Sequence, residues 1–240
     1  LGFAGKVQFG LIIRDSVLAD GSKSEAFESD NDASGTTATP KTTAIFSNVT
    51  VIGPRATIQN VGNSLFRGAA HIRRNTGISI FNTIIMGWPV GIEIDATTGT
   101  STALDIEDST IRLRNITIAG TAQTTKFSGT PGATIISDAT FTTWFSNPFY
   151  NNDFLANNTD VKLVNPFSYS APDPTPFAAG NGNAKVLTGG GFTDAKFNGD
   201  TFFDKVLPED VLKPLTFRGA IAPSGPLSSW WKGWTKFNYN

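Results

Sequence analysis

One short phrase, written three times, constrains this chain more than any other feature. Asn48-Val49-Thr50-Val51-Ile52-Gly53 returns as Asn82-Thr83-Ile84-Ile85-Met86-Gly87 and again as Asn115-Ile116-Thr117-Ile118-Ala119-Gly120. The copies stand 34 and then 33 residues apart, and a degenerate copy, Asp15-Ser16-Val17-Leu18-Ala19-Asp20, stands 33 residues before the first. Residues with β preference, punctuated by Asn and Gly at such a period, predict stacked β coils that each lean on their neighbours. Asn48, Asn82 and Asn115 should then stack in register at one corner, side-chain amide to side-chain amide. Gly53, Gly87 and Gly120 should mark a second corner, where the chain needs positive φ. In outline this is an all-β, right-handed parallel β-helix.

The period sets the organisation. Residues 1–139 carry the coils. After Thr134-Ile135-Ile136 the repeat fails, and residues 140–240 read as the last coil or two plus an irregular C-terminal cap of the same domain. Solenoids need such caps because an open end offers unpaired strand edges. Within that region Trp144-Phe145 suggests a short helix or a loop. The chain opens on Leu1-Gly2-Phe3, neither an initiator Met nor a signal peptide, so we read it as the downstream part of a longer polypeptide. Val7 to Ile13 would begin the first coil with nothing to cover its apolar edge. Upstream coils of the same polypeptide, or another subunit, are therefore the expected partners.

Composition narrows the function classes. With 19 basic against 20 acidic residues, and no basic cluster longer than Arg73-Arg74, nucleic acid is not an expected partner. There is no Cys, hence neither a disulfide framework nor thiol chemistry. No apolar run approaches the roughly 18 residues of a membrane-spanning helix. A single His rules out His-rich metal clusters and weakens any Ser-His-Asp arrangement.

Three constellations remain, each with an alternative. Glu28, Asp30 and Asp32 alternate along the chain, so in a strand they share one face, and three hard oxygen ligands suit Ca²⁺. The loop is a poor match to a calcium hand, because Ala33 stands where a sharp turn wants Gly. Superposing coils gives a second account. With Phe27, Ile72 and Ile92 inward, Glu28 and Asp30, then His71 and Arg73, then Glu93 and Asp95 form an outward acid–base–acid ladder. Such a ladder gives His71 and Arg73 structural partners and no need of a substrate. Trp230, Trp231 and Trp234 crowd near the end with Phe237 and Tyr239, either as a stacking platform for sugars or as packing for the tail.

Several segments resemble one family. Gly5-Lys6-Val7-Gln8-Phe9-Gly10, Phe27-Glu28-Ser29-Asp30-Asn31-Asp32, His71-Ile72-Arg73-Arg74-Asn75, Gly87-Trp88-Pro89-Val90-Gly91 and Trp231-Lys232-Gly233-Trp234-Thr235-Lys236-Phe237 are similar to Bacteroidetes secreted or surface β-helix proteins. That resemblance implies an extracellular or outer-membrane location, through type IX export or as a lipoprotein, and partners among outer-membrane proteins or glycans. It brings no catalytic residues with it. The expected function is a non-catalytic surface module that binds a glycan, an envelope component or a protein, with Trp230, Trp231, Trp234, Arg73 and Arg74 as candidate binding residues. The alternative is a polysaccharide lyase-like enzyme, in which Arg73 or Arg74 beside bound Ca²⁺ would act as base; the fold alone does not license it.

Overall fold

The structure is a computed structural model that describes residues 2–60, 62–168 and 170–237. Two parallel sheets face each other. The first runs β1 (Lys6–Ile13), β3 (Ile45–Ile52), β5 (Ser79–Met86), β7 (Leu113–Ala119), β9 (Asp153–Leu155). The second runs β2 (Ser24–Ser29), β4 (Phe66–Arg73), β6 (Val90–Ala96), β8 (Gln123–Gly129). Consecutive strands alternate between sheets, so each coil contributes one strand to each and the chain is a parallel β-helix.

Its interior is apolar. Val49, Val51, Ile80, Ile85, Ile116 and Ile118 of the first sheet meet Ala70, Ile72, Ile92 and Ile94 of the second in one buried cluster. Alternation along each strand supplies these rows. Burying each Val or Ile contributes about 1.5–3 kcal/mol before the chain entropy is counted.

The asparagines stack as expected, though inside the first sheet's strands rather than between them. Asn48, Asn82 and Asn115 adopt left-handed backbone with φ of 55°, 51° and 57°. Each breaks the in–out alternation of its strand, so that Phe46 and Val49 both reach the core across Ser47 and Asn48. Asn115 Nδ2 donates to Asn82 Oδ1 at 3.0 Å. Asn82 Nδ2 donates to Ser47 Oγ at 3.0 Å, and Ser47 Oγ in turn to Asn48 Oδ1 at 2.9 Å, so this step is relayed by a serine. A fourth rung extends the ladder: Asn151, φ 52°, donates to Asn115 Oδ1 at 3.1 Å.

Two expectations at the ends of the repeat are corrected. The register that pairs Gln8 with Ser47 and Gly10 with Val49 places Phe9, φ 61°, at the first ladder position. Asp15 instead accepts from the Val17 and Leu18 amides in a turn, so the degenerate copy is no rung. Of the three repeat glycines, Gly87 and Gly120 take positive φ and Gly53 does not. A Cβ on Gly53 would stand 2.3 Å from the Gly87 carbonyl oxygen, so close coil stacking is what demands glycine there.

The C-terminal region divides its work in a way the sequence reading did not foresee. The end of the solenoid is plugged by α2 (Asp138–Phe145), whose Phe141 and Phe145 join the core; α1 (Thr102–Glu107) lies earlier, after β6. Ser137 and Thr140 close a capping box at the start of α2. From Leu163 onward the chain does not cap the end. It runs back along the outer flank of the first sheet as a strap. Asn48 Nδ2 donates to Phe217 O at 3.0 Å, Gly219 N to Asn82 O at 2.7 Å, and Ala220 N to the Thr50 hydroxyl at 2.9 Å. Gln8 exchanges two hydrogen bonds with the Asp204 backbone, so the strap reaches the first coil.

Candidate functional site

Two surfaces carry chemistry. The first is the outer face of the second sheet, where register stacks Glu28, His71, Glu93 and Lys126 in one row and Arg73, Asp95 and Ser128 in the next. The acid–base–acid ladder is therefore present, but its bonds run diagonally. His71 Nε2 lies 2.9 Å from Asp95 Oδ2. Arg73 binds Asp30 at 2.6 Å and Glu28 at 2.5 Å, and Arg74 binds Asp30 at 2.9 Å. Glu93 takes Arg67 at 2.9 Å and Lys126 at 3.0 Å. Arg67, Lys126 and Glu25 were not singled out in the sequence. The register at which they recur, one strand away from opposite charges, is the signal that could have found them.

Burial alone would push Glu93 and Asp95 up. For Glu93, Arg67 and Lys126 outweigh it; for Asp95, hydrogen bonds from His71 and Thr97 do so, and both carboxyls are held below the ordinary range. Glu25 goes the other way, raised by burial and then by the Glu28 charge. Depressed folded-state values stabilise the fold above the unfolded carboxylate pKa, and that stability is lost as pH falls through the folded values. A raised value reverses the sign, so ionised Glu25 costs stability above its folded pKa. Glu25→Gln is expected to raise the melting temperature at neutral pH and to leave it unchanged once Glu25 is protonated in both states. A variant that melts lower at neutral pH would overturn this assignment.

The calcium expectation does not fit this face. Glu28 and Asp30 are taken by Arg73 and Arg74, while Asp32 accepts from the Ser34 amide and the Thr36 amide and hydroxyl within its own turn. Among the described residues, the trio whose ligand atoms come within 4.8 Å of one another is a different one, His71, Glu93 and Asp95. Arg67 and Lys126 already neutralise Glu93, and Arg67 also reaches to 3.5 Å from Asp95, so a dication there would face two fixed positive charges. Arg73 and Arg74, proposed from sequence as binding residues, are committed to Glu28 and Asp30.

The second surface is an aromatic groove of about 460 Å³ between β1 and the end of the strap. Phe9, Leu11 and Ile13 form one wall; Trp230, Trp231, Trp234 and Phe237 form the other. The three tryptophans divide between the two roles considered from sequence. Trp231 is buried against Ala220, Ile221 and Leu11, and so anchors the tail. Trp234 is 70% exposed. Its indole N–H donates to Trp230 O at 2.7 Å, and that of Trp230 to Ala220 O at 2.8 Å, which fixes the ring planes. The Trp230 and Trp234 rings lie 6.1 Å apart at 33°. Tyr239 lies outside the described residues. A second apolar hollow opens at the first-coil end of the core, where Phe3, Ile12, Phe27, Phe46 and Ile78 are among its lining.

No curated protein and no solved structure matches the chain. The profile of a family described as the pectate-lyase-like β-helix domain matches residues 2–162, well over half of the chain and the span that builds the coils. On that match the chain belongs to the pectate-lyase-like β-helix domain family, and its two stacked parallel sheets fit the description.

Proposed function

We propose that this chain is a non-catalytic, right-handed β-helix module of the bacterial cell surface that binds glycan through the groove of Trp230, Trp234 and Phe9. The exposed, backbone-anchored Trp234 ring carries the reading. Flat aromatic faces with fixed planes suit the C–H faces of pyranose rings, and the volume falls in the range of small-ligand sites. Among the described residues the lining holds no charged side chain, which favours neutral sugars over uronates. A Bacteroidetes origin and an outer-membrane location accord with the resemblance in the sequence. The family description keeps a lyase-like activity as the second reading. Against it stands the charged face: its guanidinium groups are held on carboxylates, whereas a catalytic base must sit near working pH within reach of a substrate proton. The hollow at the first-coil end is the surface that upstream coils or another subunit would cover, and self-association rising with concentration is its expected sign.

Titration of the protein with neutral oligosaccharides, followed by tryptophan fluorescence, tests the binding reading. Trp234→Ala is expected to weaken binding about tenfold, equivalent to ~1.4 kcal/mol, with little change in melting temperature because the ring is exposed. Equal affinity of variant and parent would remove the groove from consideration. Unsaturated products from an acidic polysaccharide, lost on Arg73→Ala, would establish the lyase instead.

A further inference from the structure

We propose that Lys41 and Asn75 become joined by an intramolecular isopeptide bond, with Asp105 as the proton carrier, tying successive coils covalently. The three residues come from three consecutive turns of the solenoid: Lys41 from the loop before β3, Asn75 from the turn after β4, Asp105 from α1 after β6. Lys41 Nζ lies 2.9 Å from Asn75 Oδ1 and also touches Asp105 Oδ1. The amide carbon of Asn75 is one bond behind the oxygen that the amine touches.

An ordinary ion pair leaves features of this trio unexplained. Asp105 is 3% exposed, and its second oxygen, Oδ2, is buried without a partner. A carboxylate kept charged in such a place needs both oxygens served. Burial pushes the Asp105 carboxyl up, and Lys41 beside it does not bring it back down. A neutral acid next to an amine is the state that amide chemistry requires, since an ammonium has no lone pair to attack with.

Asn75 is held for the reaction. It too is 3% exposed, with left-handed backbone at φ 58°. Its Nδ2 donates to Thr36 O at 2.6 Å and its backbone N–H to the Thr102 hydroxyl at 3.1 Å. Next to Lys41, the Thr42 amide donates to Asn31 Oδ1 at 2.9 Å, and the Thr42 carbonyl accepts from Gly77 N at 2.7 Å. Nucleophile, carbonyl and acid are thus fixed by the fold, which converts a slow bimolecular condensation into a unimolecular one.

The step balances without any further reagent. Proton transfer from the Lys41 ammonium to Asp105 leaves a neutral amine and a neutral acid. The Nζ lone pair attacks Asn75 Cγ while Asp105 donates its proton to Oδ1. Asp105 then takes a proton from Nζ, and Nδ2 is protonated as Oδ1 regains its double bond. The Cγ–Nδ2 bond breaks and ammonia leaves. A Nζ–Cγ amide remains, and nothing is oxidised or reduced.

Intact mass spectrometry of the folded full chain reads this directly. The expected mass is that of the sequence less one ammonia, with trypsin failing to cut after Lys41 and a branched peptide containing both Lys41 and Asn75. Lys41→Arg, which keeps the charge, and Asp105→Ala should each return the full mass while circular dichroism shows the fold intact. A full-length mass in the parent protein, with normal cleavage after Lys41, would overturn the proposal. So would ammonia loss that persists in Lys41→Arg, since it would then be cyclisation of Asn75 alone. Ammonia loss surviving in Asp105→Ala would overturn the role given to Asp105.

Discussion

Asn82→Ala should destabilise the chain by about 5 kcal/mol, the sum of four side-chain hydrogen bonds at roughly 1 kcal/mol each and a backbone penalty of about 1 kcal/mol. Asn82 sits at the centre of the ladder and is fully buried. Its amide donates to Ser47 Oγ and to Gly191 O, and its side-chain oxygen accepts from Asn115 Nδ2 and from Gly191 N. Truncation strands partners on two neighbouring coils and on the strap together, and buried groups left unpaired are the expensive case. Its φ of 51° adds the penalty of putting Ala where only Gly and Asn sit comfortably. Asn82→Gly separates the two contributions, because it keeps the backbone and deletes the side chain. It should recover about 1 kcal/mol relative to Ala. Denaturant unfolding of both variants measures the difference, and an unchanged midpoint in Asn82→Ala would mean that the ladder holds nothing together.

The ladder was legible because a repeated demand on the backbone writes a repeated residue. A left-handed residue with a side-chain amide is required once per coil, and Asn satisfies both needs at 48, 82 and 115. It stopped being legible at both ends for separate reasons. Asn151 escaped notice because α2 and the turn after it stand before the last rung, so the phrase around it no longer matches. At the first rung Phe9 takes the same backbone conformation, and its ring stacks on Phe217 of the strap at 6.4 Å instead of bonding along the ladder. The acid–base alternation of the second sheet was legible from strand periodicity, but its pairing was not. Arg67 and His71 lie on one strand, four residues apart, yet both reach Asp95 on the next while Arg67 also takes Glu93, which depends on side-chain length rather than on register. The strap was the least legible part. It holds the ladder largely through its main chain, at Gly191, Phe217 and Gly219, and a main-chain group leaves no signature in residue type. The groove depends on the same strap, so the tryptophans were visible but the wall opposite them was not.

One side chain in the strap ties it to the last coils, and its loss should have the second large effect. Arg218 is completely buried. Its Nη1 donates to the Thr117 hydroxyl at 2.8 Å and binds Asp153 Oδ1, Nη2 binds Asn151 O, and Nε donates to Gly189 O at 3.2 Å. A planar fork is needed to serve acceptors on β7, β9, the fourth Asn rung and the strap at once. Burial pushes the guanidinium's pKa down, but from so high a starting value that it stays charged, and Asp153 supports the charge. Arg218→Ala should therefore cost about 3 kcal/mol, the lower end of the range for breaking a buried pair, because Asp153 keeps some access to water. Arg218→Lys keeps the charge but not the fork, and should lose about half as much. The damage should be local. The strap has its own packing on the flank, whereas the solenoid core of Val49, Ile80, Ile92 and Ile116 lies elsewhere. Limited proteolysis of Arg218→Ala should accordingly cut within residues 163–237 well before the coils, while the β-sheet circular dichroism persists. Simultaneous loss of coils and strap would show that the two unfold as one unit, and that Arg218 secures the whole solenoid rather than the strap.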